Sequence, residues 1–160
     1  MDSYRIQLFL HVLAVVIGLG VAFVEPFLQA FAERQGVNAT RNALRFIQRI
    51  ENILVTPGAI LVAVFGVGLI FDDRTGYRDD FPTWLMIAIA WYVVAFVVAA
   101  TLQRRNLKDA IEALEGAQTD DALPVRYVEI SRRIQMVGGL LGVSIIGVLF
   151  MMVWGAEGGF

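Results

Sequence analysis

The stretch IQLFLHVLAVVIGLGVAFVEPFL, Ile6 to Leu28, decides the fold. At about 1.5 Å of rise per residue, a helix of this length crosses a hydrocarbon core of about 30 Å. The run is too long for the apolar core of a cleavable signal. Its flank, Met1 to Arg5, is barely basic, and no small-x-small cleavage site ends it, so it is expected to stay in the mature chain.

Outward from that stretch the same pattern recurs at Leu54 to Phe71, Trp84 to Leu102 and Met136 to Trp154. A hydrophobic content of 58% and a mean hydropathy of +0.66, gathered into blocks, exclude an ordinary soluble domain. The expected fold is all-α: a polytopic membrane protein with a four-helix transmembrane bundle in one domain over residues 1–160, spans at about 6–28, 54–71, 84–102 and 136–154, and helical extensions on the cytoplasmic side. With no cysteine there is no disulfide, thiolate metal site or Cys nucleophile. A net charge of −2 carries no nucleic-acid signal, and membrane lipids are the expected surroundings.

Local charge sets the expected orientation. Arg5 precedes the first span, Arg34, Arg41, Arg45 and Arg49 follow it, Arg74 and Arg78 lie in the second loop, six basic residues lie in the third, and none ends the chain. Positive charge collects on the cytoplasmic side, so the first and third loops are placed inside and both termini outside. His11 then lies in the outer part of the first helix and Glu25 near the inner boundary, about 21 Å further along the axis.

His11, Gly18 and Glu25 share one helical stripe, and Ala14, Gly18 and Ala22 add a small-residue seam that favours helix contact. As the only histidine, His11 reads either as a buried hydrogen-bonding residue or as an axial haem or metal ligand. Glu25 reads as an interfacial or Arg-paired carboxylate, or as a proton or ion site together with His11, and Pro26 after it predicts a kink. In the first basic loop Asn38 is expected to cap a helix through Val55, with Arg41, Arg45 and Arg49 on one stripe and Phe46, Ile50 and Ile53 on another. That arginine stripe suits lipid head groups, or an anion clamp as the alternative. Thr56-Pro57-Gly58 is expected to open the second span. The aspartate pairs Asp72/Asp73 and Asp79/Asp80 match no calcium loop. The third helix should run from Pro82 to Gly116; Asp120, Asp121 and Pro124 restart the chain; and Gly138 and Gly142 extend the packing seam to the last span.

Phe9-Leu10-His11-Val12, the arginine-rich stretch ending in Thr56-Pro57-Gly58 and running to Gly66-x-Gly68, and Arg132-Arg133 through Met151-Met152-Val153 together resemble a family of uncharacterised bacterial integral membrane proteins. That family is in turn distantly similar to HemJ-type protoporphyrinogen oxidases and CopD-type copper-resistance membrane proteins. The resemblance implies a bacterial cytoplasmic (inner) membrane location and, through the HemJ likeness, haem b at His11. The membrane lysine of the HemJ pattern has no counterpart, because the one lysine, Lys108, lies in a cytoplasmic extension. No Walker loop, nucleophile elbow, HExxH or dinucleotide fingerprint is present. Three functions are consistent with this pattern. The first is a protein without catalysis of its own, acting by association as a homo-oligomer or as an accessory subunit of a larger bioenergetic membrane complex. The second is a haem-binding protein with His11 as ligand, and the third a small proton-coupled transporter or channel using Glu25 and His11.

Overall fold

The computed structural model describes residues 2–117, 120 and 122–156; Asp121 lies outside them. Among the described residues four helices are long and apolar enough to cross a membrane: α1 (Ser3–Glu33), α2 (Val37–Ile70), α3 (Thr83–Glu115) and α4 (Val125–Ala156). The four-span, all-helical expectation holds.

Two of these helices are irregular upstream of a proline. Pro26 has no N–H for the carbonyl of Ala22, and its ring crowds that turn. The helix opens just upstream, with a π-helical turn at Val15–Leu19 and a 3-10 turn at Gly20–Phe23 before α-geometry resumes at Glu25. Pro57 acts likewise on α2, which carries a π-turn at Glu51–Val55. Thr56-Pro57-Gly58 therefore opens no new helix, because widening the preceding turn lets one continuous helix carry the proline. A third π-turn, Ala99–Gln103, interrupts α3, which has no proline within it.

The start of α2 also departs from expectation. Asn38 is not the cap: the helix begins after Gly36, whose φ of 104° is open to glycine and costly for other residues. The free N–H groups of the first turn are taken by a residue far along the chain. Asp120 accepts from Val37 N–H through its backbone oxygen at 3.2 Å and from Asn38 N–H through Oδ1 at 2.7 Å. The buried stripe of this segment is Val37, Thr40, Leu44 and Ile47, while Phe46 and Ile53 face outward.

The helices pair as α1 with α2 and α3 with α4. In the first pair the backbones meet at glycine, where a Cβ on Gly18 would lie 2.7 Å from the Gly58 Cα and no side chain is tolerated. In the second pair Trp91 packs onto Gly147, where an added Cβ would lie 2.7 Å from Cη2, and Trp84 packs onto Gly155. At the end of the molecule that holds the termini, Tyr77 meets Trp84 edge-on at 5.9 Å. Partial burial there, with Tyr4 nearby, raises its phenol above the ordinary tyrosine range.

The two pairs join mainly at the other, arginine-rich end, where Val37–Ile50 of α2 packs on Arg104–Glu115 of α3, and the latter on α4. Leu44, Leu114 and Tyr127 there are fully buried. Along the apolar segments, among the described residues, α1 has little direct contact with α4, and α2 little with α3.

Candidate functional site

The gap between the two helix pairs is a cavity of ≈ 530 Å³. All four helices line it, and each of the three π-turns contributes: Val15 and Leu19 from the first, Glu51 and Val55 from the second, Ala99 and Gln103 from the third. A π-turn widens the helix and rotates the residues that follow, and such turns recur at functional sites. The wall is mainly aliphatic and aromatic, with the stacked rings of Tyr92 and Phe96 on α3 (centroids 6.5 Å apart). It runs out to exposed residues of α1 and α4 such as Phe27 and Val143, so the cavity opens sideways between those helices.

Its polar groups collect towards the arginine-rich end. Glu25 comes from α1, Glu51 and Thr56 from α2, Gln103 and Arg104 from α3. Arg104 Nη2 donates to Thr56 Oγ1 at 2.8 Å, tying α3 to α2. Glu51 lies within electrostatic reach of Glu25 and of the Arg104 guanidinium. Glu25 Oε1 and Gln103 Oε1 are buried acceptors with no donor among the described residues. Nearer the termini, Tyr92 closes the gap between the pairs by donating its hydroxyl to Ala59 O at 2.5 Å.

At the arginine-rich edge of the cavity, where Gln29 joins the lining, a hydrogen-bond network ties α1 to α4. Glu33 Oε1 accepts from Gln29 Nε2 (3.0 Å), Tyr127 Oη (2.6 Å) and Ser131 Oγ (2.8 Å). The two N–H groups of Gln29 are shared among three acceptors, Tyr127 Oη at 3.2 Å and Ser131 Oγ at 3.0 Å besides Glu33. Three donors on one carboxylate oxygen satisfy a charge that would otherwise be costly to keep from water.

The model of the family described as "Predicted integral membrane protein (DUF2269)" matches residues 6–155. The chain belongs to that family. No curated protein and no solved structure matches the chain. The family description names a location in the membrane, so the chemistry has to be read from the residues.

The residues singled out from the sequence fall in separate places. His11 is buried between α1 and α2, its Nδ1 2.9 Å from Val62 O, and Gly66 faces the ring edge. Since a carbonyl only accepts, Nδ1 is the donor in this contact. His11 is not part of the cavity lining, whereas Glu25 is. Ala14 and Gly18 are buried, Gly18 at the crossing with α2, while Ala22, Gly138 and Gly142 line the cavity. A Cβ on Gly138 or Gly142 would meet only side chains, Gln103 at 3.6 Å and Phe23 at 3.7 Å. Of the arginine stripe, Arg41 bonds Asn38 Oδ1, Arg45 pairs with Glu115 at 2.6 Å, and Arg49 is exposed. Among the described residues no group of three or more His, Cys, Asp or Glu is arranged to hold a metal ion.

Sequence reasoning passed over Glu51, Gln103, Arg104, Gln29 and Glu33. A partial signal was present: Glu25 lies inside an apolar run, where an acid is expensive unless it faces a cavity, and Glu25 and Glu51 each lie within two turns of a proline.

Proposed function

We propose that this protein binds an amphiphilic molecule from the surrounding lipid, in the cleft between its two helix pairs, with the apolar body along the aliphatic wall and the head group at Glu25, Glu51 and Arg104. The observation behind this reading is the ≈ 530 Å³ cavity, open sideways between α1 and α4 and polar at one end. Its size lies in the range of small-molecule sites, and an apolar wall with a few convergent polar groups is their usual composition. With the arginine-rich end taken as cytoplasmic, the head group sits in the inner leaflet.

The other readings have less behind them. Association as a homo-oligomer or accessory subunit would use the small-residue seams, and of these Gly18 is occupied in a contact within the chain while Ala22, Gly138 and Gly142 line the cavity. Haem at His11 needs open space beside the imidazole. The residues there do not fit it: the ring is buried between α1 and α2, bonded to Val62, and outside the cavity. A proton path joining Glu25 to His11 has no support, because Glu25 faces Glu51 and the cavity whereas His11 faces Val62.

The test is photo-crosslinking in phosphatidylcholine nanodiscs with a single-chain amphiphile bearing a mid-chain diazirine, mapped by peptide mass spectrometry. Adducts are expected to concentrate on cavity residues such as Phe23, Ala95 and Gly142, and Gly142→Phe, which fills the cleft, should remove them. Labelling spread evenly over the outward-facing Val64, Met86 and Val153, with no excess in the cleft, would overturn the reading.

A further inference from the structure

The polar end of the cleft is unbalanced in two independent ways. The first is charge: the charged side chains lining it are the carboxylates of Glu25 and Glu51 and a single guanidinium, Arg104, whose Nη2 is already engaged with Thr56. The second is hydrogen bonding. The buried atoms left without a partner there, Glu25 Oε1 and Gln103 Oε1, are both acceptors, and among the described residues no buried donor side-chain atom is left open. An occupant that balances both brings positive charge and N–H donors. A carboxylate or phosphate head would add acceptors where acceptors are already in surplus, and a quaternary ammonium would bring charge without donors. A primary ammonium brings three N–H donors and one positive charge in a compact group, and hydrogen bonds between charged partners are the strong ones.

Building on the cleft reading above, we propose that the occupant is an amphiphile with a primary ammonium head, recognised by Glu25, Glu51 and Gln103. Its chain lies along the aliphatic wall and passes out between α1 and α4 into the leaflet, so only the head has to leave its surroundings when it binds.

The experiment uses the full chain in phosphatidylcholine nanodiscs and three diazirine probes with the same chain, ending in a primary amine, a trimethylammonium or a carboxylate. The amine is expected to label the cleft at a concentration about tenfold or more below the other two. Glu25→Gln and Glu51→Gln, which keep size and shape, should bring the three probes together while cleft labelling persists. Equal labelling by all three in the unaltered protein overturns the ammonium inference and leaves the cleft reading standing. Preference for the carboxylate also overturns it and makes Arg104 the reader of the head group. Absence of cleft labelling by every probe overturns both. A further arm replaces part of the phosphatidylcholine with phosphatidylethanolamine. Competition with the amine probe upholds the proposal with a membrane lipid as the source of the ammonium, and lack of competition upholds it with a free amine.

Discussion

The two ends of this protein are held together by different forces. At the arginine-rich end the helices close into a core, with Leu44, Leu114, Tyr127 and Thr40 fully buried. Along the apolar segments the same four helices stand in two pairs around a cleft, and only 11–17% of each helix's apolar window is buried within the protein. Water expels apolar surface and closes a core, whereas lipid tails are as apolar as leucine and exert no such drive. Where the drive is absent, contact depends on glycine crossings and a few hydrogen bonds, and a cleft between helices costs little.

The sharpest way to break this comparison is to truncate one large side chain in each region. Leu114→Ala at the arginine-rich end should lower stability by about 2–5 kcal/mol, as for other core leucines. Leu140→Ala on α4, 62% exposed in the chain, should change it by no more than about 0.5 kcal/mol. Thermal or denaturant unfolding in one detergent measures both. Equal losses would mean that the apolar half is packed as tightly as the core.

A second substitution tests how the pairs themselves are held. Gly18 and Gly58 bring α1 and α2 into backbone contact, and a Cβ on Gly58 would lie 2.5 Å from the Gly18 Cα. Gly18→Val should cost about 1–3 kcal/mol, the range for forcing extra atoms into a packed contact. Gly139→Val, on a glycine with nothing nearby, should be close to neutral. As the chain has no cysteine, pairs of cysteines introduced across α1 and α2 would report the separation directly. A Gly18→Val protein with unchanged stability and unchanged cross-linking would show that glycine contact does not hold this pair.

The same contrast explains what the sequence made legible. Four spans are visible because lipid demands long apolar runs and the chain supplies four. The site is much less visible. Glu25 stood out as an acid in an apolar stretch, but its neighbours Glu51 and Arg104 lie just outside the apolar runs of their own helices and read there as boundary charges. The π-turns then aim them at the cleft, and a local distortion of this kind has no periodic signature. His11 drew attention through rarity, and its position came from the α1–α2 crossing, which a single chain of letters does not reveal. The glycine pattern showed that helices touch without showing which pairs: Gly18 meets a backbone, whereas Gly142 meets the side chain across the cleft.

The smallest effect separates a local signal from a distant one at the closed end. In sequence Asn38 looks like a helix cap because it is a small polar residue ahead of an amphipathic run. In the fold it lies inside the helix, its side chain accepting from Arg41, and its own N–H is capped by Asp120 from the connection between α3 and α4. Asn38→Ala should therefore leave stability within about 0.5 kcal/mol. Asp120→Ala should cost about 1 kcal/mol, the usual loss when a capping side chain is removed. Asp120 also joins the start of α2 to the end of α3, so its loss should loosen the place where the two pairs are bound together. Hydrogen exchange at the amide of Asn38 reads this locally, with faster exchange expected in Asp120→Ala and little change in Asn38→Ala. The reverse order would return the cap to Asn38 and make the closure of this end a matter of core packing alone.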